Sequence, residues 1–162
     1  MNLTDPWQRL LQPLFELYPP DRAMEQLVVS AGPSDEVIEA VEAVLDEHSA
    51  MAVGTLEAAL WLYVDDLDRS HSVSQGIENS TGSYWHGIMH RREGDFSNSH
   101  YWFNKVGEHH PVLAMIDDYD PHSFIDEVER RHGTQSQELV TMQRREWQTL
   151  FEWCAREAEA RQ

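Results

Sequence analysis

The segment Gln137-Glu138-Leu139-Val140-Thr141-Met142-Gln143-Arg144-Arg145-Glu146-Trp147-Gln148-Thr149-Leu150-Phe151-Glu152-Trp153-Cys154-Ala155-Arg156-Glu157-Ala158 decides the fold class. Leu139, Val140, Gln143, Trp147, Leu150, Phe151, Cys154 and Ala158 recur at the helical period and line one side. Thr134 with Gln137 opens this helix, the longest in the chain, and Cys154 is expected in its core-facing stripe. The same period runs through other segments. Trp7, Leu10, Leu11, Leu14, Phe15 and Tyr18 share a face, with Asp5 as a cap and Pro6 in the first turn. Pro13 inside that stripe predicts a kink or a split. Pro19-Pro20 ends it, and a short helix is expected from Asp21 to Ser30, stopped by Gly32 and Pro33.

Ser34 caps a helix with Val37, Ile38, Val41, Val44 and Leu45 on one side. Met51 to Ser74 is the most apolar stretch, its stripe running Leu56, Leu60, Val64, Leu67 and His71. Asp120-Pro121 starts a helix carrying Phe124, Ile125 and Val128, ended by Gly133. Val112 to Ile116 reads more easily as a buried turn of helix than as a strand, and strand-like alternation is nowhere sustained. These patterns predict an all-α fold: a single compact helical domain of six to eight helices over residues 1–162.

At 162 residues, 41% apolar and 25% charged, the chain can bury one core without covalent staples. A single cysteine excludes an internal disulfide and argues against a thiolate zinc site. Twelve Lys plus Arg against 29 Asp plus Glu leave a net charge of −17, which repels a phosphate backbone and argues against nucleic acid as a partner. No apolar run reaches the roughly 18 residues of a membrane span, and the first twelve residues carry no signal-like apolar core. A cytoplasmic protein without a membrane partner is the expectation.

The chemistry concentrates in Gly82-Ser83-Tyr84-Trp85-His86-Gly87-Ile88-Met89-His90-Arg91-Arg92-Glu93-Gly94-Asp95-Phe96-Ser97-Asn98-Ser99-His100-Tyr101-Trp102-Phe103. Five of the nine histidines lie between His86 and His110. Aromatic and ionisable groups interleaved this densely suit the wall of a pocket. The run Tyr84-Trp85-His86-x-Ile88-Met89-His90-Arg91-Arg92-Glu93-Gly94-Asp95-Phe96-x-Asn98-x-x-Tyr101-Trp102-Phe103, with Gly107 and His110-Pro111 after it and Asp68-x-x-His71-x-x-Ser74-Gln75 before it, resembles a family of uncharacterised microbial proteins. The resemblance covers about the central third of the chain and marks a region, not a reaction.

Ser83 as N-cap and Gly94 as stop predict a short helix, on which His86, His90 and Glu93 stand in one stripe. Asp68 and His71 are neighbours one turn apart on the preceding helix. If the two helices meet, these residues form a mixed histidine/carboxylate site of the type that holds zinc, iron or manganese. A histidine–carboxylate network that only satisfies buried polar groups is the competing explanation.

Arg91, Arg92, Lys105 and a capped helix start near Ser97-Asn98 supply cations and N–H donors for a small polar or anionic molecule. The competing explanation there is ordinary ion pairing with nearby carboxylates. Asp65 and Asp66 read as a solvated face. Asn79-Ser80-Thr81 matches a glycosylation sequon by chance, and the serines near histidines lack a nucleophile-elbow context.

The leading expectation is a pocket for a small polar or anionic ligand. In it His71 and His90 act as general acid or base, Arg91, Arg92 and Asn98 orient the ligand, Trp85 and Tyr101 form walls, and His110 completes it. The alternatives are a mononuclear metal enzyme using His71, His86, His90 and a carboxylate, Asp68 or Glu93, and a non-catalytic interaction domain. In the last, the aromatic block forms an interface with a partner or with another copy, as a homo-oligomer.

Overall fold

A computed structural model describes residues 1–47, 54–134 and 136–161. Among them the chain forms eight α-helices and no strand: α1 (Asp5–Leu17), α2 (Asp35–Glu47), α3 (Gly54–Tyr63), α4 (Leu67–Ser74), α5 (Ser80–Glu93), α6 (Phe96–Val106), α7 (Pro121–Arg131) and α8 (Gln137–Glu159). Short 3-10 turns occupy Pro111–Met115 and His132–Thr134. One continuous core takes side chains from Leu3 at the start of the chain to Ala158 near its end, making a single compact all-α domain. A smaller cluster of Leu27, Phe124, Val128, Leu139 and Val140 seals the α7–α8 end. No described helix is long and apolar enough to cross a membrane.

α5 runs through the middle, in contact with α3, α4 and α6, and every residue from Thr81 to Arg92 is buried. A helix enclosed on all sides has no polar face, so its sequence lacks an amphipathic stripe. Gly87 lets α6 lie close: a Cβ there would stand 2.8 Å from the ring of Phe103. Gly94, at φ 87°, ends α5 in the left-handed conformation that glycine adopts without strain.

The α8 stripe is as expected, with Trp147, Leu150, Phe151 and Cys154 buried and Ser136, not Thr134, supplying the capping oxygen. Stacked Phe151 and Trp147 carry the contact to α1 and α3, through Trp7 and Tyr63.

Five local expectations are corrected. α1 runs unbroken through Pro13, which lies with Arg9 one turn before it on the exposed face, where the hydrogen bond that proline cannot donate costs least. Residues 21–30 form turns and no helix, because α8 claims their carbonyls: Arg144 donates to Ala23 O at 2.8 Å and Gln143 to Met24 O at 2.9 Å. Met51 to Ser74 is not one helix. Met51 to Val53 lie outside the described residues, and the rest breaks at Asp65, φ 65°, into α3 and α4. Asp65 and Asp66 are buried at that break, where Asp66 caps α4 by accepting from the Arg69 N–H. α5 begins a turn earlier than Ser83 implies, because Asn79 accepts from the Gly82 N–H.

Candidate metal centre

α4 and α5 pack side by side across a five-residue loop, 75–79, and this brings His71 against His86 and His90. Ring centroids are 4.7 Å apart for His71–His86 and for His86–His90, and 5.6 Å for His71–His90. One ring nitrogen from each lies within 4.8 Å of the other two. His86 and His90 are buried, while His71 is half-buried and marks the solvent side of the trio.

The second nitrogens of the two buried rings are occupied. Ser74 Oγ donates to the His71 carbonyl at 3.4 Å and accepts from His86 Nδ1 at 2.8 Å. Glu93 Oε1 accepts from His90 Nδ1 at 2.7 Å. In the neutral ring each contact favours the Nδ1–H tautomer, which turns the lone pair to Nε2, the form in which imidazole binds a metal. Burial, then the neighbouring charges of His90, His71 and Lys105, lower the His86 pKa to about 4, so this ring is neutral at pH 7.

Trp102 on α6 covers the other side of His86, at 4.1 Å between centroids. Lys105, one turn further, holds its ammonium 4.4 Å from the Trp102 ring and 4.8 Å from that of Tyr101. A tetrahedral zinc ion with bonds near 2.0–2.1 Å needs nitrogens about 3.3 Å apart. His86 and His90 stand on adjacent turns of α5, and His71 faces them from α4.

The remaining expected site residues lie elsewhere or do other work. Asp68 is exposed one turn before His71 and is not among the groups that converge. Glu93 touches the trio only through His90, and with His90 and Asp95 it forms a second group whose potential ligand atoms lie within 4.8 Å of one another. Arg91 is fully buried in a two-pronged pair with Glu146, at 3.0 and 2.5 Å, and Tyr119 donates to the same carboxylate. Arg92, equally buried, reaches Asp65 at 2.5 Å, Leu62 O at 2.7 Å and Gln26 O at 3.1 Å. Neither guanidinium is available to a ligand; both tie α5 to its neighbours.

Trp85 is enclosed in the core against Trp147. Asp95 caps α6, and the exposed Asn98 donates to it through both its backbone N–H and its side-chain amide. His110 accepts from Val112 N, bonds Thr81 at 3.2 Å and meets Tyr84 edge-on and Trp153 at a tilt, away from the trio. Burial lowers its pKa to about 4. Tyr101 is exposed and leans edge-on to Trp102.

Sequence reasoning missed Ser74 as the partner of His86, and Trp102 as its cover. Ser74 stands three residues after His71 and so shares its face, a spacing that pointed to the role. No sequence signal links Trp102 to His86, because the contact depends on how α6 turns back after Gly94. No family model, curated protein or solved structure matches this chain.

Proposed function

We propose that the protein binds one divalent transition-metal ion through His71, His86 and His90 and uses the fourth, solvent-facing position for chemistry. The observation that carries this is the convergence of three imidazoles, two of them with Nδ1 engaged by Ser74 and Glu93. A network serving only to satisfy buried polar groups has no need of three imidazole nitrogens gathered within 4.8 Å of one another. Three neutral ligands leave the full double charge on the ion, which acidifies a bound water most effectively. An imidazole-only set suits zinc or iron better than manganese. The reading is a mononuclear metal-dependent enzyme, in which Glu93 positions His90 and Trp102 shields His86 from water.

The test is metal content. Chelator-stripped protein titrated with zinc should take up one equivalent, and His86→Ala and His90→Ala should each take up none tightly while remaining folded. Equal uptake by wild type and both variants, or no uptake by wild type, overturns the proposal.

A further inference from the structure

We propose that the cavity between α6, the 107–113 segment and the start of α7 binds a small organic cation, a primary ammonium on an apolar body, with His122 as one acceptor of its N–H bonds. The cavity holds about 480 Å³, the size of a small-molecule site, and shares no residue with the histidine trio. Phe103, Leu113 and Pro121 give it an apolar wall, and Glu108, Asp120 and His122 give it polar groups. Among the described residues no lysine or arginine lines it.

The acceptor role of His122 follows from the contacts behind it. The His100 and His122 rings are parallel within 3°, with 2.7 Å between their Nδ1 atoms. His100 Nε2 lies 3.0 Å from Asp126 Oδ1. A carboxylate only accepts, so His100 donates from Nε2. With both rings neutral, His100 Nδ1 then carries a lone pair and accepts the Nδ1–H of His122. His122 is left with its lone pair on Nε2, which has no hydrogen-bond partner among the described residues. The His100–Asp126 contact alone would tie α6 to α7; adding His122 carries the same polarity on to the cavity wall. Asp126 and His100 are positioning residues that fix which nitrogen of His122 can accept.

The rest of the lining has the same preference. Asp120 accepts from the Ser123 N–H at 2.7 Å, a bond that holds its carboxyl below the usual carboxylate range and keeps it charged. Tyr119 lines the cavity too, but its hydroxyl is already donated to Glu146. The Asn104 amide can turn either end to a ligand. Two carboxylates and an imidazole lone pair all seek N–H donors. A carboxylate or phosphate group brings none and is repelled, and a neutral alcohol leaves both charges uncompensated. The net charge of −17 draws cations to the whole surface, and the apolar wall selects those that carry a hydrocarbon body.

Benzylammonium, benzyl alcohol and benzoate, matched in size and differing in charge, provide the experiment. Each is titrated into the protein at pH 8, where imidazole is neutral, and the histidine ring nitrogens are followed by NMR. His122→Gln identifies the His122 signals. Before any addition His122 should be the Nδ1–H tautomer and His100 the Nε2–H tautomer. Benzylammonium should shift His122 Nε2 and saturate in the millimolar range, with benzyl alcohol and benzoate weaker by about tenfold or more. Glu108→Gln, at an exposed position, should weaken benzylammonium about threefold. Adding Asp120→Asn, which keeps a capping side chain on α7, should bring the loss to about tenfold. His122 found as the Nε2–H tautomer overturns the acceptor role. No saturable shift with benzylammonium, equal binding of benzoate or benzyl alcohol, or unchanged affinity in both variants overturns the cation site.

Discussion

Replacing Arg91 by Met separates scaffold from site. The guanidinium and the Glu146 carboxylate are both fully excluded from solvent and meet through two parallel contacts. Arg91 also lies over the Phe124 ring, at 4.4 Å. Methionine fills most of the same length but leaves Glu146 buried with Tyr119 as its remaining donor. Breaking a buried pair from one side costs about 3–5 kcal/mol, because the surviving charge has lost its partner but not its desolvation penalty. Against a total stability of about 5–15 kcal/mol, the loss is a large fraction.

Glu146 can escape that penalty only by taking up a proton, which is easier at lower pH. The deficit relative to wild type should therefore shrink between pH 8 and pH 5.5. A double variant, Arg91→Met with Glu146→Leu, should recover most of the loss, since neither charge then remains buried. Urea unfolding at the two pH values measures all of this, with an unchanged slope showing that the same surface is exposed. Zinc uptake by the folded single variant should match wild type. A loss below about 1 kcal/mol, or a folded variant that no longer binds zinc, would refute the assignment of Arg91 to the scaffold.

Other outcomes follow from single features. Gly87→Ala should destabilise by about 1–3 kcal/mol in the same assay, because the added methyl meets the Phe103 ring; no effect would show that α6 is free to move outward. Metal-free protein should lose stability as pH falls from about 6.5 to about 4. His86 and His110 have pKa values lowered to about 4, so between these limits the unfolded chain binds more protons than the folded one. Thermal melts should show stability rising with pH through that window, less steeply in His110→Gln; a flat profile would contradict the burial of these rings. Cys154, whose thiol burial pushes up to about 12, should resist alkylation in native protein and react on unfolding. Rapid labelling without denaturant would place the α8 stripe on the wrong side.

Local periodicity was enough to read the all-α class, the α8 stripe, α2, α7 and the stop at Gly94, because each of these helices has one wet face or a distinctive terminal residue. The i, i+4 placement of His86 and His90, and their pairing with Glu93's turn, are properties of a single helix and were legible for the same reason. What the partners of α5 would be was not. Arg91 and Arg92 look like ligand cations until Glu146, 55 residues away, and Asp65, 27 residues away, are seen to neutralise them. A helix buried on every side carries no polar stripe to say which charges face protein and which face solvent. The α3–α4 break, the approach of His71 to His86, and the seat of Trp102 over that ring depend on long-range packing. Such contacts join residues whose spacing in the chain has no fixed relation to their distance in space.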